Sequence, residues 1–181
     1  YGRMLDPKKM VIGVVGDFDS EAMTARIKKL FGRLKPESAA ALEIPIEPEP
    51  KGIRENREET PRQEGLVLIG FPGLAVTSSD VPTLDLIQSV LSGGAGRLFR
   101  EVREERGLAY TVGAISAHGV EPGAFILYAV TEPDKIDLVR EVLMEEVDRL
   151  AKKPVPDAEL HEARQGLLGS QRMGGRPKPA V

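Results

Sequence analysis

The stretch LSGGAGRLFREVREERGLAYT, residues 91–111, constrains the fold of this chain more than any other segment. It opens with three glycines, Gly93, Gly94 and Gly96, which helix and strand interiors disfavour because glycine permits positive φ and a tight backbone. A charged helix follows, Gly107 stands where a glycine often ends a helix, and a strand then begins. The segment therefore predicts a glycine loop, a short helix, a sharp reversal and a strand.

The short helix of this segment carries a narrow apolar stripe. Leu98, Phe99 and Val102 fall on one helical face, and most of the other positions are charged. This pattern places Arg103 in the last helical turn and Tyr110 early in the strand, one on each side of the reversal. Two polar side chains placed in this way can converge on one ligand. From the residues alone, a surface arginine and a strand tyrosine with a satisfied hydroxyl are the alternative.

The run GGAGRLFREVREERGLAY resembles the glycine-rich segment of the pitrilysin/insulinase family of zinc metalloproteases, which includes the mitochondrial processing peptidases. The opening MVIGVVGD at residues 10–17, with the helix that follows it, is similar to the start of the second domain of that family. In the family, an Arg and a Tyr seven positions apart reach from the non-zinc half to substrate bound at the zinc of the other half. The resemblance implies this role for Arg103 and Tyr110.

The resemblance also implies a function and partners. The chain is expected to be part of a zinc-dependent metallopeptidase that acts on peptides, with the zinc-bearing domain or subunit as its partner in a homodimer or heterodimer. A non-catalytic structural or peptide-binding subunit of the same family is the alternative. The cluster Gly93, Gly94 and Gly96 is expected to form a tight turn, and anion binding through its free N–H groups is the less favoured role.

No catalytic zinc site is expected in this chain itself. In this family the zinc helix has the order His-x-x-Glu-His, which places both imidazoles on one helical face. The chain has two histidines. His118 falls in a predicted hairpin loop, and His161 is followed by Glu162 but by no second histidine. Zinc is therefore expected in the complete enzyme, and the adjacent glutamates at 104–105 and 145–146 are expected to be solvated helix surface.

Composition narrows the class of protein further. The 181 residues have a formal net charge of −3, which predicts no basic face for nucleic acid. The absence of cysteine excludes disulfides and thiolate zinc sites, and it is compatible with either the cytoplasm or the periplasm. No apolar run approaches the ~20 residues that a membrane-spanning helix needs. The chain begins with Tyr1, and we expect it to be a piece of a longer protein.

The order of the predicted elements indicates an α+β fold. Strands are predicted at residues 10–15, 65–71, 109–117 and 124–131, the last two as a hairpin, and an amphipathic helix begins near Pro133. We expect one mostly antiparallel sheet of about four strands with helices packed on one face. The predicted domain spans 1–171 and contains an extended, proline-rich connection at 36–64. Residues 172–181 are predicted to be a disordered tail.

Overall fold

The structure is a computed structural model, and it describes residue 7, residues 10–34, residue 48, and residues 50–92 and 96–174. The chain divides into two compact units, residues 1–47 and residues 48–181. Each unit is described here by itself.

The described residues of the first unit contain one helix, α1 (Ser20–Phe31). The Asp19 side chain caps its start by accepting a hydrogen bond of 2.7 Å from the Ala22 N–H. The predicted strand at residues 10–15 is absent from this unit, where Val11 and Val15 are exposed. An apolar run predicts burial, but a strand also needs a partner for its backbone groups, and the run itself does not specify that partner.

The second unit is built on a three-stranded antiparallel sheet. Its strands are β1 (Gly65–Pro72), β2 (Ala109–Ala117) and β3 (Ala124–Thr131), in the order β1-β3-β2. Strands β2 and β3 form the predicted hairpin, and their bounds agree with those predicted from the sequence. The α+β class is confirmed, with three strands in the described residues where about four were predicted.

The core of the unit lies against one face of this sheet. Residues alternate along β3 between fully buried and half-buried positions, so that Leu127 and Ala129 face the core. The largest buried apolar side chains come from β3 and from three helical segments, and they are Leu91, Leu98, Val102, Leu127, Val139, Val142 and Leu143. The opposite face of the sheet exposes Leu66, Leu68 and Ile115.

The described residues of the second unit form five helical elements. Helix α2 spans Val81–Ser92, a π-helix spans Phe99–Glu105, a 3₁₀ turn spans Pro133–Lys135, α3 spans Ile136–Lys152, and α4 spans Asp157–Gly174. Residues 175–181 lie outside the described residues. None of the described helices is long and apolar enough to cross a membrane.

Residues 50–64 of the predicted connection form neither helix nor strand and are exposed. Two surface ion pairs join them to α3, Arg57–Asp137 at 3.7 Å and Glu55–Arg140 at 3.9 Å. Most of residues 36–49 lie outside the described residues.

Polar side chains of α2 close the outer edge of β2. The Ala114 N–H donates to the Ser92 hydroxyl, and the Ser116 N–H donates to the Gln88 side-chain oxygen at 3.2 Å. Backbone groups at a sheet edge are otherwise free to pair with another strand. Helix α2 therefore both covers apolar surface and satisfies the edge of the strand that carries Tyr110.

Candidate functional site

The candidate site is built on the π-helix and the reversal that follows it. Leu98 and Val102 are completely buried and fasten the helix to the core. Gly107 has φ of +59°, and the Leu108 N–H donates to the Val102 carbonyl at 2.8 Å across the helix end. The predicted glycine stop is therefore confirmed. The helix is wider than the α-helix that the apolar spacing suggested, and π-helical turns occur frequently at functional sites.

Arg103 lies in the last turn of the π-helix and is exposed. Its guanidinium carbon lies 4.9 Å from the centre of the Phe99 ring, one turn earlier, which is within the range of a cation–π contact. Among the residues that the structure describes, Arg103 forms no ion pair.

Tyr110 is the extra residue of a β-bulge at the start of β2. Ala109 pairs with Thr131, and Thr111 pairs with Val130, the next residue of β3. Tyr110 lies between the two paired residues of β2 and has no partner on β3. Bulges redirect side chains, and this one leaves Tyr110 48% exposed. Interaction with the Glu64 carboxylate raises the pKa of Tyr110 to about 12. The hydroxyl is protonated at neutral pH, as an unperturbed tyrosine also is, and it can donate a hydrogen bond.

The structure places Arg103 and Tyr110 on exposed surface, one on each side of the Gly107 reversal. Their joint action on one ligand stays a prediction. Gly96, the last residue of the glycine cluster, is buried, and its carbonyl accepts a hydrogen bond from the Arg100 N–H at 3.1 Å. Gly93 and Gly94 lie outside the described residues.

A nearly buried ion pair next to the candidate site was missed by the sequence analysis. Arg97, 7% exposed, holds Glu159 of α4 through two parallel hydrogen bonds, Nε–Oε1 at 2.6 Å and Nη2–Oε2 at 2.8 Å. The Arg97 guanidinium lowers the pKa of Glu159. The two residues are separated by 62 positions in sequence, and neither belongs to a local pattern that would identify the other.

The prediction that residues 145–146 are solvated is wrong for Glu146, which is 1% exposed. Its side chain pairs with Arg149 at 3.0 Å, and burial raises its pKa. The signal was present in the spacing, because Glu146 follows Leu143 by three residues and Val139 by seven and so lies on the buried face of α3.

Arg106, in contrast to Arg103, is committed to neighbouring carboxylates. Its Nη2 lies 2.7 Å from Glu101 and 3.4 Å from Glu145. It therefore links the end of the π-helix to α3. Because of these contacts, substituting Arg106 would disturb two ion pairs. Arg100 lies on the same helix as Arg103 and is also exposed, so it is the better control in a substitution experiment on Arg103.

The two histidines form no metal or nucleophilic centre with their described neighbours. His118 Nε2 lies 2.9 Å from Asp85 Oδ1 and 3.1 Å from Ser116 Oγ. Both contacts involve the same ring nitrogen, whereas a catalytic triad requires the acid on the other nitrogen. His161 is exposed on α4, as predicted. No group of three or more His, Cys, Asp or Glu in the described ranges could hold a metal ion.

Comparison with known families gives one match that spans nearly the whole chain. Residues 1–167 match the family described as the peptidase M16 inactive domain. This match confirms the family predicted from the glycine-rich segment.

Relatives and solved structures agree with this match. An uncharacterized zinc protease of Streptomyces coelicolor is 30% identical over 96% of this chain and 39% of its own length. An uncharacterized zinc protease of Bacillus subtilis is 29% identical over 91% of this chain and 39% of its own length. A peptidase M16 inactive domain from Pseudomonas fluorescens is similar in structure, with a TM-score of 0.69, 28% identity, and coverage of 86% of this chain and 38% of that chain.

A protease from Helicobacter pylori shares the fold, with a TM-score of 0.78 at 22% identity, over 88% of this chain and 40% of that chain. The present chain therefore spans about two-fifths of the relatives it matches. Zinc belongs to the catalytic domain of the homologous proteases, and the matched domain is described as inactive.

Proposed function

Because the chain belongs to the family of the peptidase M16 inactive domain, we propose that it supplies the substrate-binding residues Arg103 and Tyr110 to a zinc metallopeptidase. In this proposal the zinc site is held in another domain or subunit, and the substrate is a peptide that lies between the two. The protein as a whole acts as a homodimer or heterodimer of such parts.

The position of Tyr110 is the observation that carries this proposal. Its ring is exposed at the β-bulge that opens β2. A tyrosine hydroxyl is protonated at neutral pH. It can therefore donate a hydrogen bond to a peptide carbonyl oxygen as negative charge develops on that oxygen during hydrolysis.

The surroundings of Arg103 support a role in binding the peptide backbone. Its neighbour Arg106 is held by two carboxylates, while Arg103 contacts only the Phe99 ring among the described contacts of its side chain. A guanidinium presents several donors in a fixed plane, which suits carbonyl oxygens of an extended peptide. Stacking on Phe99 limits the orientations of the side chain without using its donors.

Steady-state kinetics of the full protein, assembled with its zinc-bearing part, test the proposal on one peptide. Tyr110→Phe removes one hydroxyl and is expected to lower kcat by roughly 10²-fold, the scale found for one donor to a developing oxyanion. Arg103→Ala is expected to raise KM and lower kcat together. The matched control is Arg100→Ala, one turn away on the same exposed helix, which is expected to change neither constant appreciably.

Two outcomes would count against this function. If all three substitutions change kcat and KM by small and equal amounts, Arg103 and Tyr110 are ordinary surface residues with no role in substrate binding. Intact peptide binding by a full protein that never cleaves would instead support the alternative, a peptide-binding subunit without proteolytic activity. For the separate chain we expect no stoichiometric zinc after dialysis, and one tightly bound zinc per chain would contradict the assignment of the metal to another part.

A further inference from the structure

The strongest unexplained feature near the site is the ion pair between Arg97 and Glu159. The pair is bidentate, with two parallel hydrogen bonds of 2.6 and 2.8 Å between the guanidinium and the carboxylate. The Arg97 side chain is 8% exposed and the Glu159 side chain 24%. Arg97 stands two residues before the π-helix, next to its N-cap residue Leu98, and Glu159 lies in the first turn of α4. The pair therefore fastens the start of the Arg103 helix to an element far along the chain.

A second set of charges ties the same helix to α3. Glu101 of the π-helix lies 2.7 Å from Arg106 and 4.0 Å from Arg149 of α3. Arg149 also pairs at 3.0 Å with the buried Glu146. The helix is thus tied at its start to α4 and along its length to α3, while Arg103 takes no part in these ties.

A buried ion pair is in itself weak evidence for a contribution to stability. Replacing such a pair by apolar residues is often neutral or stabilising, so stability alone does not explain its presence. A two-pronged guanidinium–carboxylate pair fixes both distance and orientation, which a single hydrogen bond does not. A π-helix is a rare and short structure, and external contacts are needed to hold its rotation about its own axis.

We propose that Arg97 and Glu159 are positioning residues for Arg103, and that their ion pair sets the rotation of the π-helix and thereby the direction of the Arg103 side chain. This inference rests on the proposed function of Arg103 in peptide binding. Displacement of a binding group by about 1 Å can reduce catalytic efficiency by as much as 10²-fold. Loss of the bidentate Arg97–Glu159 pair is therefore expected to weaken peptide binding by displacing the Arg103 side chain.

A double-mutant cycle in the full protein, assembled with its zinc-bearing part, tests this. Arg97→Lys keeps the charge but cannot form the fork. In the wild-type background it is expected to raise KM for a peptide about tenfold, within the scale for a 1 Å displacement. In an Arg103→Ala background the same substitution is expected to change KM less than about twofold, because no guanidinium remains to be positioned.

The matched control is Arg57→Lys, which alters an exposed ion pair to α3 at 3.7 Å and is expected to leave KM unchanged in both backgrounds. If Arg97→Lys does not fold, Glu159→Gln removes one charge with little change of shape and replaces it in the cycle. If Arg97→Lys raises KM by the same factor in the wild-type and Arg103→Ala backgrounds, the positioning role is overturned and the proposed function is left intact. An Arg103→Ala variant with wild-type KM overturns the proposed function, and this inference falls with it.

Discussion

Glu64 and Tyr110 lie at the same end of the sheet, and interaction with the Glu64 carboxylate raises the pKa of Tyr110 to about 12. Gly65, which follows Glu64, and Ala109, which precedes Tyr110, both pair with Thr131 of the central strand β3. The pairing of both outer strands with β3 therefore brings a carboxylate and a hydroxyl to the same end of the sheet.

Substituting Glu64→Gln is expected to lower the pKa of Tyr110 from about 12 back toward 10.0, because the neighbouring negative charge is lost. In the wild type the raised pKa means that the folded state holds this proton more tightly than the unfolded state. The resulting stability is present below pH 10 and is lost as the pH rises toward 12. Ultraviolet titration of tyrosinate absorbance measures the shift, and Tyr110→Phe identifies the signal among the three tyrosines.

Acid stability is expected to depend on Glu159. The hydrogen bond from Arg97 lowers the pKa of Glu159 below its ordinary 4.5, so its stabilising contribution is present above pH 4.5 and is lost as the pH falls through the folded-state pKa. Glu146 acts in the opposite sense, because burial raises its pKa and protonation favours the folded state. Denaturant unfolding of wild type and Glu159→Gln between pH 7 and pH 3 should show curves that converge in acid. A constant difference across this range would contradict the assignment.

Gly107→Ala is expected to destabilise the fold by about 1–2 kcal/mol, the cost of a left-handed backbone for a residue with a Cβ. The strain is conformational only, because an added Cβ at Gly107, with φ of +59°, meets no atom within 4 Å. Gly70→Ala in β1 is the matched control, since it also has open space but no positive φ. Equal unfolding free energies for the two variants would show that the reversal tolerates an L-residue.

Leu127→Ala is expected to reduce the free energy of unfolding by about 2–5 kcal/mol, the range for a fully buried leucine truncated to alanine. Leu127 is 0% exposed on the core face of β3. Leu66→Ala on the opposite face, 59% exposed, should cost much less. Chemical denaturation of both variants gives the comparison, and similar losses would mean that the outer face is also covered.

The sequence by itself determined the elements whose signals are local. The bounds of β2 and β3 and the reversal at Gly107 follow from an alternating pattern and from a glycine within a few residues. The resemblance of residues 91–111 to a known family depends on the same short range, and it identified the family correctly.

The tertiary structure decided what depends on elements far apart in the chain. The pairing of Arg97 with Glu159, the burial of Glu146 and the bulge that turns Tyr110 outward each need the position of a second element. The strand predicted at residues 10–15 shows the same limit, because apolar residues specify burial but not the partner strand. Ion pairs and strand pairing are set by distances of a few ångströms between separate elements, and local sequence patterns do not encode such distances.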